Sequence, residues 1–310
     1  MGIVVIGSVF VDIKGYPNNN YIPAGRNAGR VEQVHGGVCR NVVENIANVE
    51  LRPVFVSLVD ESGTGTDVLE KLNKHRVDTR WCRRTPDGMG TWLAVFNNDG
   101  DVVASISKRP DLTPIADVLR AHGDEIFAPA DAIIVEFDIE KDTLKLILQL
   151  AKKHGKKVYG VISNMSIAVE RRDLIKRLAC LVCNVQEAGI LFSGEYEGLT
   201  AQEMAEKLPT LIANAHIPAM VVTMGGQGAV YASMNGEKGV CPAQKVHVRD
   251  TTGAGDSFFS GVAIGLTYGK TLAESCVIGT RLAASVITTT DNVCPRFLPK
   301  ELGLDVEVRD

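Results

Sequence analysis

Short apolar runs alternate along this chain with longer stretches whose apolar positions recur every three to four residues. The segments 3–6, 53–59, 132–137, 157–162, 181–185 and 219–224 are rich in Val, Ile and Leu and too short for buried helices, so each predicts a buried strand. Between them, Leu144, Ile147, Leu148 and Ala151 form one stripe of a helix over 143–154, with Gly155 as its C-cap. A second helix is predicted over 199–215, before Ile217-Pro218 opens a strand. Strand and helix in alternation imply βαβ units and hence an α/β fold with a doubly wound, mostly parallel sheet.

Two segments break this rhythm. Over 91–105, two strand-like runs meet around Asn98-Asp99-Gly100 with no helix between them, the pattern of a hairpin. The segment 9–34 also lacks a helical pattern, although it directly follows the first strand. No Pro/Gly/Ser-rich linker, internal repeat or low-complexity tract divides the sequence, so a single domain over 1–310 is expected.

Composition narrows the function class. With 45% apolar residues in 310, the chain can build a substantial core. Its net charge is -4, from 33 basic and 37 acidic residues spread without long runs, which argues against nucleic-acid and polybasic membrane partners and for a small molecule. No apolar run is long enough to span a bilayer, and the N-terminal residues lack the pattern of a signal peptide, so a cytoplasmic location is expected. Seven cysteines at irregular spacing argue against a disulfide framework. Cys180 and Cys183 make a C-x-x-C inside a strand-like stretch without a second pair, which reads as buried thiols and not as a metal site.

The stretch from Asp250 to Gly261 carries the clearest chemistry. Phe258, Phe259, Val262, Ala263 and Leu266 recur at helical spacing, so Gly253, Ala254 and Gly255 lie at a helix N-terminus. Free amides there, aided by the helix dipole, make an anion site, and glycines allow a phosphate to come close. Asp256 follows at once. A carboxylate so near an anion site has a natural task in accepting the proton of an attacking hydroxyl. The competing structural reading is a helix cap after a Gly-rich turn.

Other constellations allow two readings each. Asn184 and Glu187 have the spacing of a capping box. The segment 221–229 is a buried strand followed by the turn Gly225-Gly226. Gly265 to Thr271 imitates a phosphate-binding loop, but has one residue too few between its glycines and follows a helix, so it reads as a helix end and the next N-cap. Asp12 follows the first strand, where an acid can face a ligand crevice or simply be solvated. Gly36-Gly37 opens a helix through Val42, Ile46 and Val49.

Asp250 to Gly261 resembles the C-terminal signature of the ribokinase-like sugar kinases, the PfkB family. The resemblance implies that Asp256 is the catalytic base and that Gly253, Ala254 and Gly255 cradle the transferring phosphoryl group. It further implies that Asp250 and Thr252 help hold an activating monovalent cation such as K+. Asn184-Val185-Gln186-Glu187 looks like the family's Asn-x-x-Glu motif, in which Glu187 holds hydrated Mg2+ through water and Asn184 organises the nucleotide phosphates. Thr223, Gly225 and Gly226 become ATP contacts, while Asp12, Gly36, Gly37 and Asn41 become the sugar-binding set.

Arg40 stands where ribokinases carry a small residue, and together with 27–30 it makes this region more similar to pseudouridine kinases; it belongs either near a base or on the lid loop. The segments 9–34 and 91–107 are implied to pair as a small β-sheet lid, which leaves room for a homodimer through lid strands. The function implied is ATP-dependent phosphorylation of a primary hydroxyl on a furanose-containing small molecule, with pseudouridine or a related nucleoside foremost. The alternatives are a ribose or fructose kinase and a non-catalytic binding protein.

Overall fold

A computed structural model describes residues 2–98 and 100–306. The first half of the chain forms β1 (Val4–Ile6), β2 (Phe10–Pro17), β3 (Gly29–Gly36), α1 (Val38–Asn48), β4 (Val54–Val59), α2 (Gly63–Lys74), β5 (Asp78–Arg84), β6 (Gly90–Phe96), β7 (Val102–Lys108), α3 (Ile115–Phe127), β8 (Ile133–Glu136) and α4 (Lys141–Lys153). The second half forms β9 (Val158–Val161), α5 (Met165–Val169), α6 (Arg172–Ile175), β10 (Cys180–Asn184), α7 (Val185–Phe192), α8 (Ala201–Ala215), β11 (Ala219–Thr223), β12 (Ala229–Ser233), β13 (Lys238–Cys241), α9 (Ala254–Thr267) and α10 (Leu272–Ile287).

Nine strands make the main sheet in the order β13-β12-β11-β10-β9-β8-β1-β4-β5. Pairing is parallel from β11 to β5 and antiparallel only at β12 and β13. The six runs expected as strands are all core strands of this sheet. Alternation divides the core into two layers, with Val4 and Ile6 facing one and Ile3 and Val5 the other. The chain leaves β1 toward β4 on one side and returns to β8 on the other, so the crevice beyond the carboxyl ends of β1 and β8 lies at a topological switch point.

A second sheet, β3-β2-β6-β7, comes from the two segments that broke the rhythm. Its strands alternate sides as strands must, so Asp12, Lys14 and Tyr16 share one face of β2 while Ile13 and Gly15 share the other. The hairpin from β6 to β7 forms as expected, with its turn residue Asp99 outside the described residues.

The local signals hold in detail. Gly155 follows the end of α4 at φ +64, and Thr271 caps α10 in a reciprocal box with Glu274. All seven cysteines are free thiols. No helix among the described residues is long and apolar enough to cross a membrane.

Candidate active site

Helix α9 begins at Gly253, whose φ of +79 belongs to the left-handed region. A side chain there would strike the carbonyl oxygen of Asn292, so both backbone angle and space require glycine. The Ala254 amide donates back to the Thr251 carbonyl (3.2 Å) and Ser257 N–H to Gly253 O (2.9 Å), so the amides at this turn left without an acceptor among the described residues are those of Gly253, Gly255 and Asp256. Of the expected trio, Ala254 thus spends its amide within the turn, while the amides of Gly253 and Gly255 have no acceptor among the described residues. Nothing lies within 4 Å of where a Gly255 Cβ would be, so a side chain there would enter open space.

Asp256, the third residue of α9, is half-buried. Burial drives its carboxyl up to about 6, the nearby carboxylates of Glu136 and Asp12 add to this, and Asn41 and Arg40 act against it. A carboxylate with that affinity for protons is a stronger base than a solvated aspartate, yet it is mostly ionised at neutral pH. Asn41 Nδ2 donates to Asp256 Oδ2 at 2.6 Å, across 215 positions of sequence. Asn41 was expected to bind a substrate hydroxyl; its amide nitrogen holds Asp256, and its Oδ1 has no hydrogen-bond partner among the described residues.

The lid contributes Asp12. Its carboxylate fills the space that a Gly36 side chain would need, which explains a glycine at that junction. Burial raises the Asp12 carboxyl as well, opposed by Lys14 and Arg40. Asp12 therefore sits on a strand of the small sheet, and not in a loop directly after β1.

For Arg40 the sequence left two places open, near a base or on the lid loop. Arg40 is 1% exposed, donates to Glu44 and to the carbonyls of His35 and Gly36, and so holds the root of lid strand β3 instead of facing a base. Burial pushes the Glu44 carboxyl up, but Arg40 and Lys71 outweigh it and keep Glu44 below the ordinary range. Asn292, which packs on Gly253, donates to the same His35 carbonyl (2.9 Å). The lid root and the anion-binding turn thus share one backbone oxygen.

Glu136 was not anticipated. It ends the apolar strand β8, is 3% exposed, and accepts from both the amide and the hydroxyl of Ser8 at 2.7 Å. Burial raises its carboxyl despite those two donors. Asp138, two residues on, accepts from Ser163 Oγ (2.7 Å) and Arg109 (3.2 Å). The available signal was an acid closing an otherwise apolar parallel strand, where ligand crevices open.

At the far side of the crevice, Asn184 and Glu187 form a complete capping box: Asn184 Oδ1 accepts from Glu187 N–H and Glu187 Oε2 from Asn184 N–H, both at 2.8 Å. The structural reading is therefore realised. It engages one Glu187 oxygen and leaves the other, on a carboxyl raised by burial. Thr223 pairs with Asn184 in the parallel register of β11 on β10, so the two stand side by side at the strand ends, with the open Gly225-Gly226 turn beyond. Asp250 Oδ1 accepts from Thr252 N–H (2.8 Å), and the carbonyls of Asp250 and Thr252 receive no donor among the described residues.

Comparison with known proteins places the chain among kinases. The chain is 34% identical over 292 residues to guanosine-inosine kinase of Exiguobacterium acetylicum, covering 94% of this chain and 95% of that one. It is 29% identical over 275 residues to pseudouridine kinase of Escherichia coli, covering 88% and 86%. Ribokinase of Arabidopsis thaliana, solved with ribose and ATP, superposes with a TM-score of 0.80 at 19% identity, over 97% of each chain. The family model described as pfkB family carbohydrate kinase matches residues 2–294, and with the kinase relatives it shows that this chain belongs to the PfkB family of sugar and nucleoside kinases.

Proposed function

We propose that this kinase uses ATP to phosphorylate the primary hydroxyl of a nucleoside's furanose. The observation that carries the chemistry is Asp256: a half-buried carboxylate with a proton affinity near neutrality, oriented by Asn41, one residue beyond an open amide at a helix N-terminus. The substrate hydroxyl gives its proton to Asp256 as its oxygen bonds to the γ-phosphorus and the bond to the β–γ bridging oxygen breaks, releasing ADP. The Gly255 and Asp256 amides stabilise charge on the transferring oxygens. Asp12 and Glu136 are placed to accept sugar hydroxyls, and Thr223, Gly225 and Gly226 flank the nucleotide.

The residues present fit the expected ions. Glu187 keeps a carboxylate oxygen outside its capping bond, which suits a hydrated divalent ion held through water, with Asn184 beside it. Mg2+ bound with ATP supplies charge neutralisation at the phosphates. The donor-free carbonyls of Asp250 and Thr252 suit a monovalent cation such as K+.

A nucleoside is favoured over a free sugar by the 34% identity to a guanosine-inosine kinase along nearly the whole chain. Pseudouridine stays within the proposal through the second relative, and free ribose or fructose is the alternative that substrate profiling tests. The reading treats 1–310 as one catalytic unit with its lid drawn from 9–34 and 91–107. The outer lid face carries Val31 (73% exposed), Leu93 (41%) and Ile106 (70%), an apolar surface suited to a second copy of the chain. Sedimentation of wild type and Ile106→Glu tests that dimer.

ADP release measured across guanosine, inosine, pseudouridine, adenosine, ribose and fructose tests the function. Turnover confined to free sugars would reject the nucleoside reading.

A further inference from the structure

The inner face of the lid carries more than Asp12. Lys14 and Tyr16 share that face, and the parallel register sets Trp92 beside Asp12 and Ala94 beside Lys14. Phe96, next on the same side of β6, stacks on Tyr16 with ring centroids 4.8 Å apart and meets Trp92 edge-on at 6.4 Å. Arg30 lies over the Tyr16 ring at 4.4 Å. This face looks into the crevice, since Asp256 feels the charge of Asp12, and Tyr16 that of Asp250. Tyr16, Trp92 and Phe96 are half-buried, so ring surface remains open beyond the sugar-binding acid.

Sugar hydroxyls are served by carboxylates and amides; aromatic faces suit a planar base. Lys14 sharpens the chemistry. It is only 8% exposed, and it has neither a hydrogen bond nor an ion pair among the described residues. The Asp12 carboxylate is its charge neighbour, and an ammonium group offers three donors and no lone pair, so with no hydrogen bond made it has donors to give to a ligand. Next to an aromatic shelf, the partner that satisfies it is a ring carbonyl oxygen.

We propose that Lys14 and the Trp92–Phe96–Tyr16 shelf form a nucleobase subsite selecting bases that present a carbonyl, such as 6-oxopurines, over bases with hydrogen or an amino group at that position. The inference rests on the nucleoside reading above and adds to it the class of base and the residues that read it.

The test compares kcat/KM for inosine and for purine riboside, which lacks the 6-carbonyl, in wild type, Lys14→Met, Lys14→Arg and Trp92→Leu. Wild type should prefer inosine by about 10-fold or more, because a donor built to meet the carbonyl is otherwise unsatisfied. Lys14→Met should bring the two substrates within about threefold of each other, Lys14→Arg should restore part of the preference, and Trp92→Leu should weaken both nucleosides alike. Quenching of tryptophan fluorescence by inosine without ATP gives a second readout, with Kd raised about 10-fold in Lys14→Met.

An unchanged inosine preference in Lys14→Met that melts like wild type would overturn the subsite while leaving nucleoside turnover standing. Faster, Lys14-dependent turnover of a sugar phosphate would overturn it too, by assigning the lysine to a phosphate. Absence of turnover with every nucleoside, alongside turnover of ribose or fructose, would remove the nucleoside reading itself and the subsite with it.

Discussion

Asn41 Nδ2 and Asp256 Oδ2 lie 2.6 Å apart, and that bond ties the first turns of α1 and α9 together at the candidate active site. A donor to the ionised carboxylate favours the charged form, opposing the burial that raises Asp256 to about 6. Removing it moves the proton affinity further up. Activity that needs the ionised base falls as pH drops through that value, so in Asn41→Leu the acid limb of the kcat profile should shift upward by about one unit. A profile with an unmoved acid limb would mean that Asn41 does not tune Asp256.

Asp256→Asn separates function from stability. Turnover should fall by about 10² or more, the scale of an acid–base group. The folded protein holds the Asp256 proton more tightly than the unfolded chain, whose value is 3.8, so this group destabilises the fold increasingly as pH rises from about 4 to 6 and fully above that. The asparagine variant should therefore gain on the order of 1–2 kcal/mol at pH 7.5, and the gain should vanish near pH 4. Thermal melts at the two pH values check this.

The two glycines around Ala254 should respond differently to substitution. Gly253→Ala places a methyl group on the Asn292 carbonyl at a left-handed φ, and should destabilise by about 1–3 kcal/mol. Gly255→Ala meets nothing, so it should leave the melting temperature within about 2 °C while obstructing phosphate approach and lowering turnover by at least about 10-fold. Equal effects of both on stability would argue against an open anion site at Gly255.

Arg40→Met leaves Glu44 buried with its main partner gone. Loss of one member of a buried pair costs about 3–5 kcal/mol, so the variant should melt far below wild type. Because the guanidinium holds the lid root, all substrates should suffer together. A selective loss of nucleoside over sugar turnover would instead return Arg40 to the base-binding role that its position in the motif suggested.

Glu187→Gln keeps a side-chain oxygen for the Asn184 amide but removes the charge. The Mg2+ concentration for half-maximal activity should rise several-fold with little change in melting temperature, whereas a purely structural cap would leave the Mg2+ titration unchanged.

The residues that were legible in the sequence are those whose signal is local. The parallel strands announce themselves as apolar runs because both of their faces are buried, and α9 does so through its glycines followed by helical spacing. Strand β5 was missed because an edge strand reading Asp78-Thr79-Arg80-Trp81-Cys82-Arg83-Arg84 has no apolar run. Asp12 was identified without its strand, since β2 gains its meaning only when paired with β3 and β6. The contacts that assemble the candidate site, Asn41 with Asp256 and Ser8 with Glu136, span 215 and 128 positions, and no spacing rule reaches that far. Arg40 shows the converse: its place in a motif left a base contact and a lid-loop strut both open, and its burial beside Glu44 favours the strut.

The central claim is that Asp256 serves phosphoryl transfer from ATP to a nucleoside, and steady-state ADP release tests it most directly. Wild type assayed with inosine, guanosine, pseudouridine, ribose and fructose should show its highest kcat/KM with a nucleoside, and Asp256→Asn should reduce that rate by about 10² or more while still binding ATP. Equal turnover by Asp256→Asn, or a free sugar outpacing every nucleoside, would contradict it.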